Sequence, residues 1–348
     1  MTRTSIRELR WAAIAVAALA LCAGSAQAAT VQVLASSAQR TAVTAGDGHV
    51  VWSVRDAATG RYRLVDHYHG SLRTLPVAGS PIPFDADLGR DAAGRPAVVY
   101  ARCTKPGGSL LSGAGGLSLA DRGHGCAIRM LVLGRRSDHA VDVDRPGWAS
   151  DVMPRLNHGA IAFFRMPRRG EIASRARLMR RSAHGRLTSM VGGPLDVVPQ
   201  DSGERWDDSD GPLGLAFDGG TLVWEWDAHR RPARHCQAQE PDPLAVTVFT
   251  ARSGKPRSQQ MTDCPSNPQI QLGGVVAISP TRVMWTYRDT TVARVNHLVT
   301  IDRRTHAVSV TVLPLPDGIL LSLDSDGHTL YAMLELNDGR INVLAITP

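Results

Sequence analysis

Several things are scarce in this chain. Of 348 residues only two are lysine, Lys105 and Lys255, and aromatic residues make up 5%. Past residue 28 there is no long apolar run, which excludes a multi-span helical membrane protein. Long amphipathic helical patterns are hard to find, which points away from helical classes. The familiar catalytic signatures are missing as well: no G-x-S-x-G elbow, no H-E-x-x-H pair, no Walker loop and no dinucleotide glycine fingerprint. No C-x-x-C spacing occurs, so the commonest arrangement of zinc thiolates is lacking. At 43% hydrophobic and 20% charged residues the chain is too apolar and evenly mixed for a disordered polymer, and too long for a disulfide miniprotein.

What is present begins at the N-terminus. Arg3, Arg7 and Arg10 against Glu8 precede a mostly apolar run over residues 11–22, and small residues follow over 23–28. This is the three-part pattern of a secretory signal peptide, with Ala26, Gln27 and Ala28 as the cleavage site. The alternative is an uncleaved single anchor over residues 11–29, which Gly24, Ser25 and Gln27 weaken. Cys22 follows Leu21, where bacterial lipobox sequences have a small residue, so lipidation is discounted. No twin arginine precedes the apolar run, which favours export in the unfolded state. A secreted or extracytoplasmic protein is expected, with no integral membrane span after cleavage. Removing residues 1–28 takes away three arginines and one glutamate, lowering the net charge from +7 to +5.

Cleavage also leaves four cysteines of five: Cys103, Cys126, Cys236 and Cys264. Four allow three pairings, and in an oxidising compartment the natural choice joins neighbours, Cys103 to Cys126 and Cys236 to Cys264.

The mature chain reads as a repeat. The unit is an apolar strand, a glycine-containing turn, a second strand ending in an aromatic, then a third strand and a polar return. Its clearest copies turn at Asp47-Gly48, Gly219-Gly220 and Asp326-Gly327; looser copies turn at Gly94, His158-Gly159 and Pro280. The aromatics Trp52, Tyr100, Phe164, Trp224, Trp285 and Tyr331 are 48, 64, 60, 61 and 46 residues apart, the spacing of propeller blades with some long loops. Asp-Gly and Asn-His-Gly supply the positive φ that a tight hairpin needs. Third strands are expected over 62–66, 127–133, 245–249 and 297–302, and outer fourth strands over 72–77 and 307–313. The sixth unit runs through residues 341–346 with nothing left for a fourth strand, whereas residues 30–35 are strand-like ahead of the first unit. The N-terminal strand is therefore expected to complete the last blade and close the ring.

This organisation resembles the TolB-like six-bladed β-propellers of exported bacterial type, over most of residues 30–348. The last unit carries it best, with Asp326-Gly327 ahead of one strand and Asp338-Gly339 ahead of the next; Asp66 and Asp302 also fit third-strand positions. The usual Ser-Pro-Asp-Gly turn is nowhere intact, Ser279-Pro280-Thr281 being the nearest approach. The resemblance implies an all-β fold of four-stranded antiparallel blades in a single domain over 29–348. It implies a protein-interaction platform, or a propeller attached to a hydrolase domain. A seventh blade hidden in a long loop is the alternative blade count.

Candidate sites follow from charge. Arg165, Arg168, Arg169, Arg175, Arg177, Arg180, Arg181 and Arg186 face a single acid, Glu171, within that stretch. Such density suits a polyanion, because each cation releases counterions from one anionic group. In an exported protein an envelope polyanion or an anionic membrane surface fits better than nucleic acid, which is not expected as a partner. The competing reading is a solvated or self-paired blade face. Asp196, Asp201, Glu204, Asp207, Asp208 and Asp210 form an acidic stretch that lacks the full calcium loop and reads as a neutralising loop. His67 and His69 are expected to alternate on one strand as an exposed pair. Residues 107–125, rich in glycine, read as a flexible insertion tethered by the first disulfide.

The sequence thus predicts a monomeric exported β-propeller acting as a binding or scaffold module. No catalytic residue, metal or cofactor is expected. Its rivals are a propeller-type hydrolase or lyase with a central-channel site, and a polyanion-binding envelope protein that uses the arginines of 165–186.

Overall fold

The computed structural model describes residues 29–104, 124–147, 149–166, 176–189, 211–227, 245–250, 257–260, 270–289 and 295–347. All regular structure among them is β-strand. β1 (Thr30–Ser37) stands ahead of the first sheet. That sheet comprises β2 (Val43–Gly46), β3 (His49–Arg55), β4 (Tyr62–Tyr68) and β5 (Ser71–Thr74). The second comprises β6 (Asp85–Arg90), β7 (Pro96–Arg102), β8 (Ala127–Val132) and β9 (His139–Ala140). The third has β10 (Ser150–Asn157), β11 (Ala160–Met166), β12 (Arg177–Arg181) and β13 (Leu187–Ser189). The fourth has β14 (Gly211–Asp218), β15 (Thr221–Asp227), β16 (Ala245–Thr250) and β17 (Arg257–Gln260). The fifth has β18 (Ile270–Ile278), β19 (Arg282–Asp289), β20 (Val295–Asp302) and β21 (Val308–Val312). β22 (Gly318–Ser325), β23 (Leu330–Leu336) and β24 (Ile341–Thr347) belong to the last.

These strands form six four-stranded antiparallel sheets. Five are made of four consecutive strands, and the sixth has the order β1-β24-β23-β22. The expected N-terminal closure is therefore present: Thr30 pairs with Thr347 and Ser37 with Ile341, with a bulge between Val33 and Ala35. The first strand of each sheet lies against the first strand of the next, from β2 through β6, β10, β14, β18 and β22 and back to β2. That circle of inner strands defines a β-propeller.

The turn chemistry explains the hairpins. Asp47 and Gly48, His158 and Gly159, and Gly219 and Gly220 all have positive φ, the pair of left-handed residues that a type I′ turn requires. His69 (φ 49°) and Gly70 (φ 76°) do the same between β4 and β5. The expected pairing of His67 with His69 on one strand therefore fails: β4 stops at Tyr68, and His69 turns out into solvent. The aromatics also sit inside their strands and not at the ends. Trp52, Tyr100, Phe164 and Trp224 are fully buried on second strands that run on for two or three residues.

Packing occurs between sheets. One apolar cluster joins the sixth sheet to the first through Val43, Trp52, Val65, Met333 and Val343. Another joins the first to the second through Val51, Leu64, Phe84, Val98 and Tyr100. Comparable clusters fill the other seams. The Cys103–Cys126 disulfide, expected from the spacing, is formed and buried in the cluster that includes Phe164 and Trp224. Cys236 and Cys264 lie outside the described residues. At the seam of the second and third sheets a Cβ on Gly89 would stand 2.2 Å from the Leu156 carbonyl oxygen. Only glycine permits that approach of β6 to β10.

Candidate functional site

The inner strands bring together charged residues that no local motif announces. Asp85 and Asp87 lie on β6, Arg155 on β10, Thr44 on β2 and Asp324 on β22, so four sheets contribute to one cluster near the axis. Each side chain reaches across a seam. Asp324 Oδ2 accepts from the Ala45 amide and the Thr44 hydroxyl, both at 2.8 Å. Thr44 Oγ1 accepts from the Leu88 amide at 2.8 Å. Asp85 and Asp87 accept from the amides of Met153 and Leu156 at 2.6 and 2.7 Å. Arg155 donates to the Leu215 carbonyl of the fourth sheet, and lies 3.7 Å from Asp85 and 3.9 Å from Asp87.

This cluster holds three carboxylates and one guanidinium. Burial pushes the Asp87 carboxyl up to about 7; the charge of Arg155 opposes this, while Asp324 and Asp85 reinforce it. Burial also raises Asp324, against the bonds it accepts from Ala45, Ser325 and Thr44. Thr44 shows why a proton fits there. Its one hydrogen is directed to Asp324, and its oxygen lies 3.5 Å from Asp87 Oδ1, a contact that a protonated Asp87 can make as donor. A proton on Asp87 thus has an acceptor in the Thr44 hydroxyl, which in turn donates to Asp324. Among the described residues, no group of three or more His, Cys, Asp or Glu side chains is placed to hold a metal ion.

A second polar cluster lies in the first sheet. His49 Nδ1 is 3.0 Å from both oxygens of buried Asp66, and Arg73 donates to Asp66 at 2.7 and 2.9 Å. Tyr68 stacks on the His49 ring at 4.0 Å. His49 and Asp66 are diagonal neighbours across β3 and β4, His49 lying opposite Tyr68 and Asp66 opposite Val51, where a compensated buried carboxylate braces the hairpin.

The arginines are dispersed in role. Arg165 is directly opposite Asp151 in the β10–β11 register and pairs with it at 2.8 Å, its side chain 11% exposed. It also donates to the Val143 carbonyl and lies over the Phe163 ring. Arg180 lies over the Phe217 ring, and Arg181 donates to the Asp142 carbonyl. Arg177 and Arg186 are exposed. Arg168, Arg169, Arg175 and the acidic stretch of 196–210 lie outside the described residues.

Fold and geometry together define a β-propeller whose neighbouring sheets are tied by charged side chains at the axis. No protein-family model matches the chain, and no curated protein matches it. Among solved structures it is similar to virginiamycin B lyase from Staphylococcus aureus, at 10% identity and TM-score 0.48, covering 91% of this chain and 98% of that one. TolB from Acinetobacter baumannii is similar at 12% identity and TM-score 0.43, covering 85% and 63%. A Mycobacterium tuberculosis puromycin-hydrolyzing peptidase is similar at 12% identity and TM-score 0.48 over 85% of this chain. The chain spans about half of that peptidase, 49% of its length. At these identities and scores the likenesses carry nothing about activity.

Proposed function

We propose that the chain is an exported, TolB-like six-bladed propeller that serves as a binding or scaffold module for a protein or an envelope polyanion. The observation that carries this reading is the use of the axial charges. Asp85, Asp87, Asp324 and Arg155 each bond the main chain of a neighbouring sheet, so the inner ring is a braced, preorganised framework. Such a framework suits recognition at its loops and rim, because a rigid surface loses little entropy on binding. The buried Cys103–Cys126 disulfide supports export, since such bonds persist in oxidising compartments. For a polyanion the exposed Arg177 and Arg186 offer the first contacts.

Affinity capture from an envelope extract tests the proposal, with the tagged protein as bait. A stoichiometric protein or anionic polymer retained above background supports it. A second reading, an enzyme at the central channel, is favoured by Asp87, whose proton affinity near 7 suits acid–base chemistry. Turnover of an ester, amide or glycoside panel that is abolished by Asp87→Asn replaces the scaffold reading with that one.

A further inference from the structure

The outermost strand of a propeller sheet presents unpaired backbone groups, and soluble proteins protect such edges by shortness, bulges or charge. Most outer strands here follow that rule. β9 has two residues and β13 three; β5 carries Arg73; β1 is broken by its bulge. β21 does not. Its sequence Val308-Ser309-Val310-Thr311-Val312 has no charge, proline or bulge, and every residue is exposed. Val308, Val310 and Val312 are 63%, 52% and 60% exposed.

Register shows which backbone groups are open. The Leu313 amide donates to the Asn296 carbonyl and the Asp302 amide to the Ala307 carbonyl. Antiparallel pairs alternate between bonded and non-bonded, so Ala307, Ser309, Thr311 and Leu313 direct their amides and carbonyls towards β20. Val308, Val310 and Val312 direct theirs outward. The open backbone groups and the exposed apolar side chains therefore belong to the same three residues.

We infer that β21 pairs antiparallel with β21 of a second copy of this chain, about a two-fold axis at Val310. The sequence is nearly palindromic about that residue, so Val310 meets Val310, Val308 meets Val312, and Ser309 meets Thr311. All three valine pairs are then bonded pairs, and the two sheets join into one of eight strands. A symmetric interface requires one patch to complement itself, and this pattern does. The contact is small. Five residues per copy bury well under the roughly 800 Å² per partner of a stable complex, so the association is weak, with a Kd on the order of 100 µM. At lower concentration the chain is the monomer that the sequence predicts.

Sedimentation velocity on residues 29–348, from about 10 µM to about 1 mM, tests this. The weight-average mass is expected to rise towards that of a dimer, and Val310→Lys is expected to hold it at the monomer throughout. Val310→Cys gives a second readout: bonded antiparallel pairs bring Cα atoms to about 5.5 Å, within disulfide range. Oxidation should then yield covalent dimer at least about tenfold above Leu72→Cys on exposed β5 and above the parent protein. A mass that stays monomeric overturns the inference. So does a dimer indifferent to Val310→Lys, or cross-linking equal in both cysteine variants. A chain that stays monomeric yet binds a peptide of residues 307–313 assigns the edge to a strand from another protein, and overturns it too.

Discussion

Replacing Asp87 with asparagine should make the protein more stable at neutral and alkaline pH. In the native ring the Asp87 carboxyl is pushed from 3.8 up to about 7 by burial, so the folded chain binds its proton more tightly than the unfolded chain does. The contribution is therefore full below about pH 4, falls as pH rises, and is lost above about pH 7. Within that window one proton changes stability by about 1.4 kcal/mol per pH unit, so the whole effect has a ceiling of about 4 kcal/mol. Asparagine keeps the acceptor for the Leu156 amide, bonded at 2.7 Å. Its amide also supplies a permanent donor towards Thr44, in place of one present only on the acid. The ionisation cost disappears and Arg155 keeps Asp85 as a partner at 3.7 Å. Urea unfolding followed by tryptophan fluorescence, for both proteins between pH 4 and pH 9, measures the difference. The asparagine variant should be less stable than or equal to the parent near pH 4, and more stable by about 1–3 kcal/mol at pH 8. A difference independent of pH, or one of opposite slope, would refute the account of a proton held at the axis.

Three further perturbations follow from the same contacts. Arg165→Ala leaves Asp151, fully buried, without its ion-pair partner and should cost about 3–5 kcal/mol; the exposed Arg177→Ala should stay within about 0.5 kcal/mol. Equal effects in chemical denaturation would show that Arg165 does not act through Asp151. Gly89→Ala drives a methyl group to 2.2 Å from the Leu156 carbonyl oxygen and should cost about 3 kcal/mol through forced separation of two sheets. An unchanged unfolding midpoint would show that β6 and β10 can move apart freely. Cys103→Ser with Cys126→Ser opens a loop of 23 residues' separation, and the loss should be about 3 kcal/mol. A melting temperature equal to that of the oxidised parent would contradict it.

The sequence made the rim of the propeller easier to read than its axis. Turn pairs such as Asp47-Gly48 and His158-Gly159 announce their backbone conformation locally, and the third and fourth strands follow them in chain order within each sheet. The closing strand was legible because residues 30–35 had no partner within the first unit. The axial cluster was not. On its own strand Asp87 looks like a solvated acid, and its partners come from sheets one place away in either direction, at Thr44 and Leu156. Such contacts depend on ring register, which no local pattern contains. Arg165 was misleading in the opposite way. It sits in a dense arginine run, yet Asp151 lies 14 residues away and directly across a hairpin. Charge density along the chain does not reveal pairing across it. His69 failed for a smaller reason, since a strand ending one residue early turns an alternating pair into a strand residue and a turn residue.

The sheet order β1-β24-β23-β22 also governs when the molecule can become whole. Ser36 and Asn342, which bond each other across the closing pair, are separated by 306 positions. Five sheets can assemble from neighbouring segments as they emerge, but the last must wait for both ends of the chain. Non-local pairing of this kind is slow, because loop-closure entropy must be lost before the contact forms. Until then β24 has an exposed edge and the seam through Trp52 and Met333 has only one side. Completion of the ring is therefore the step that waits longest, since it needs β1 and β24 to meet across nearly the whole described chain.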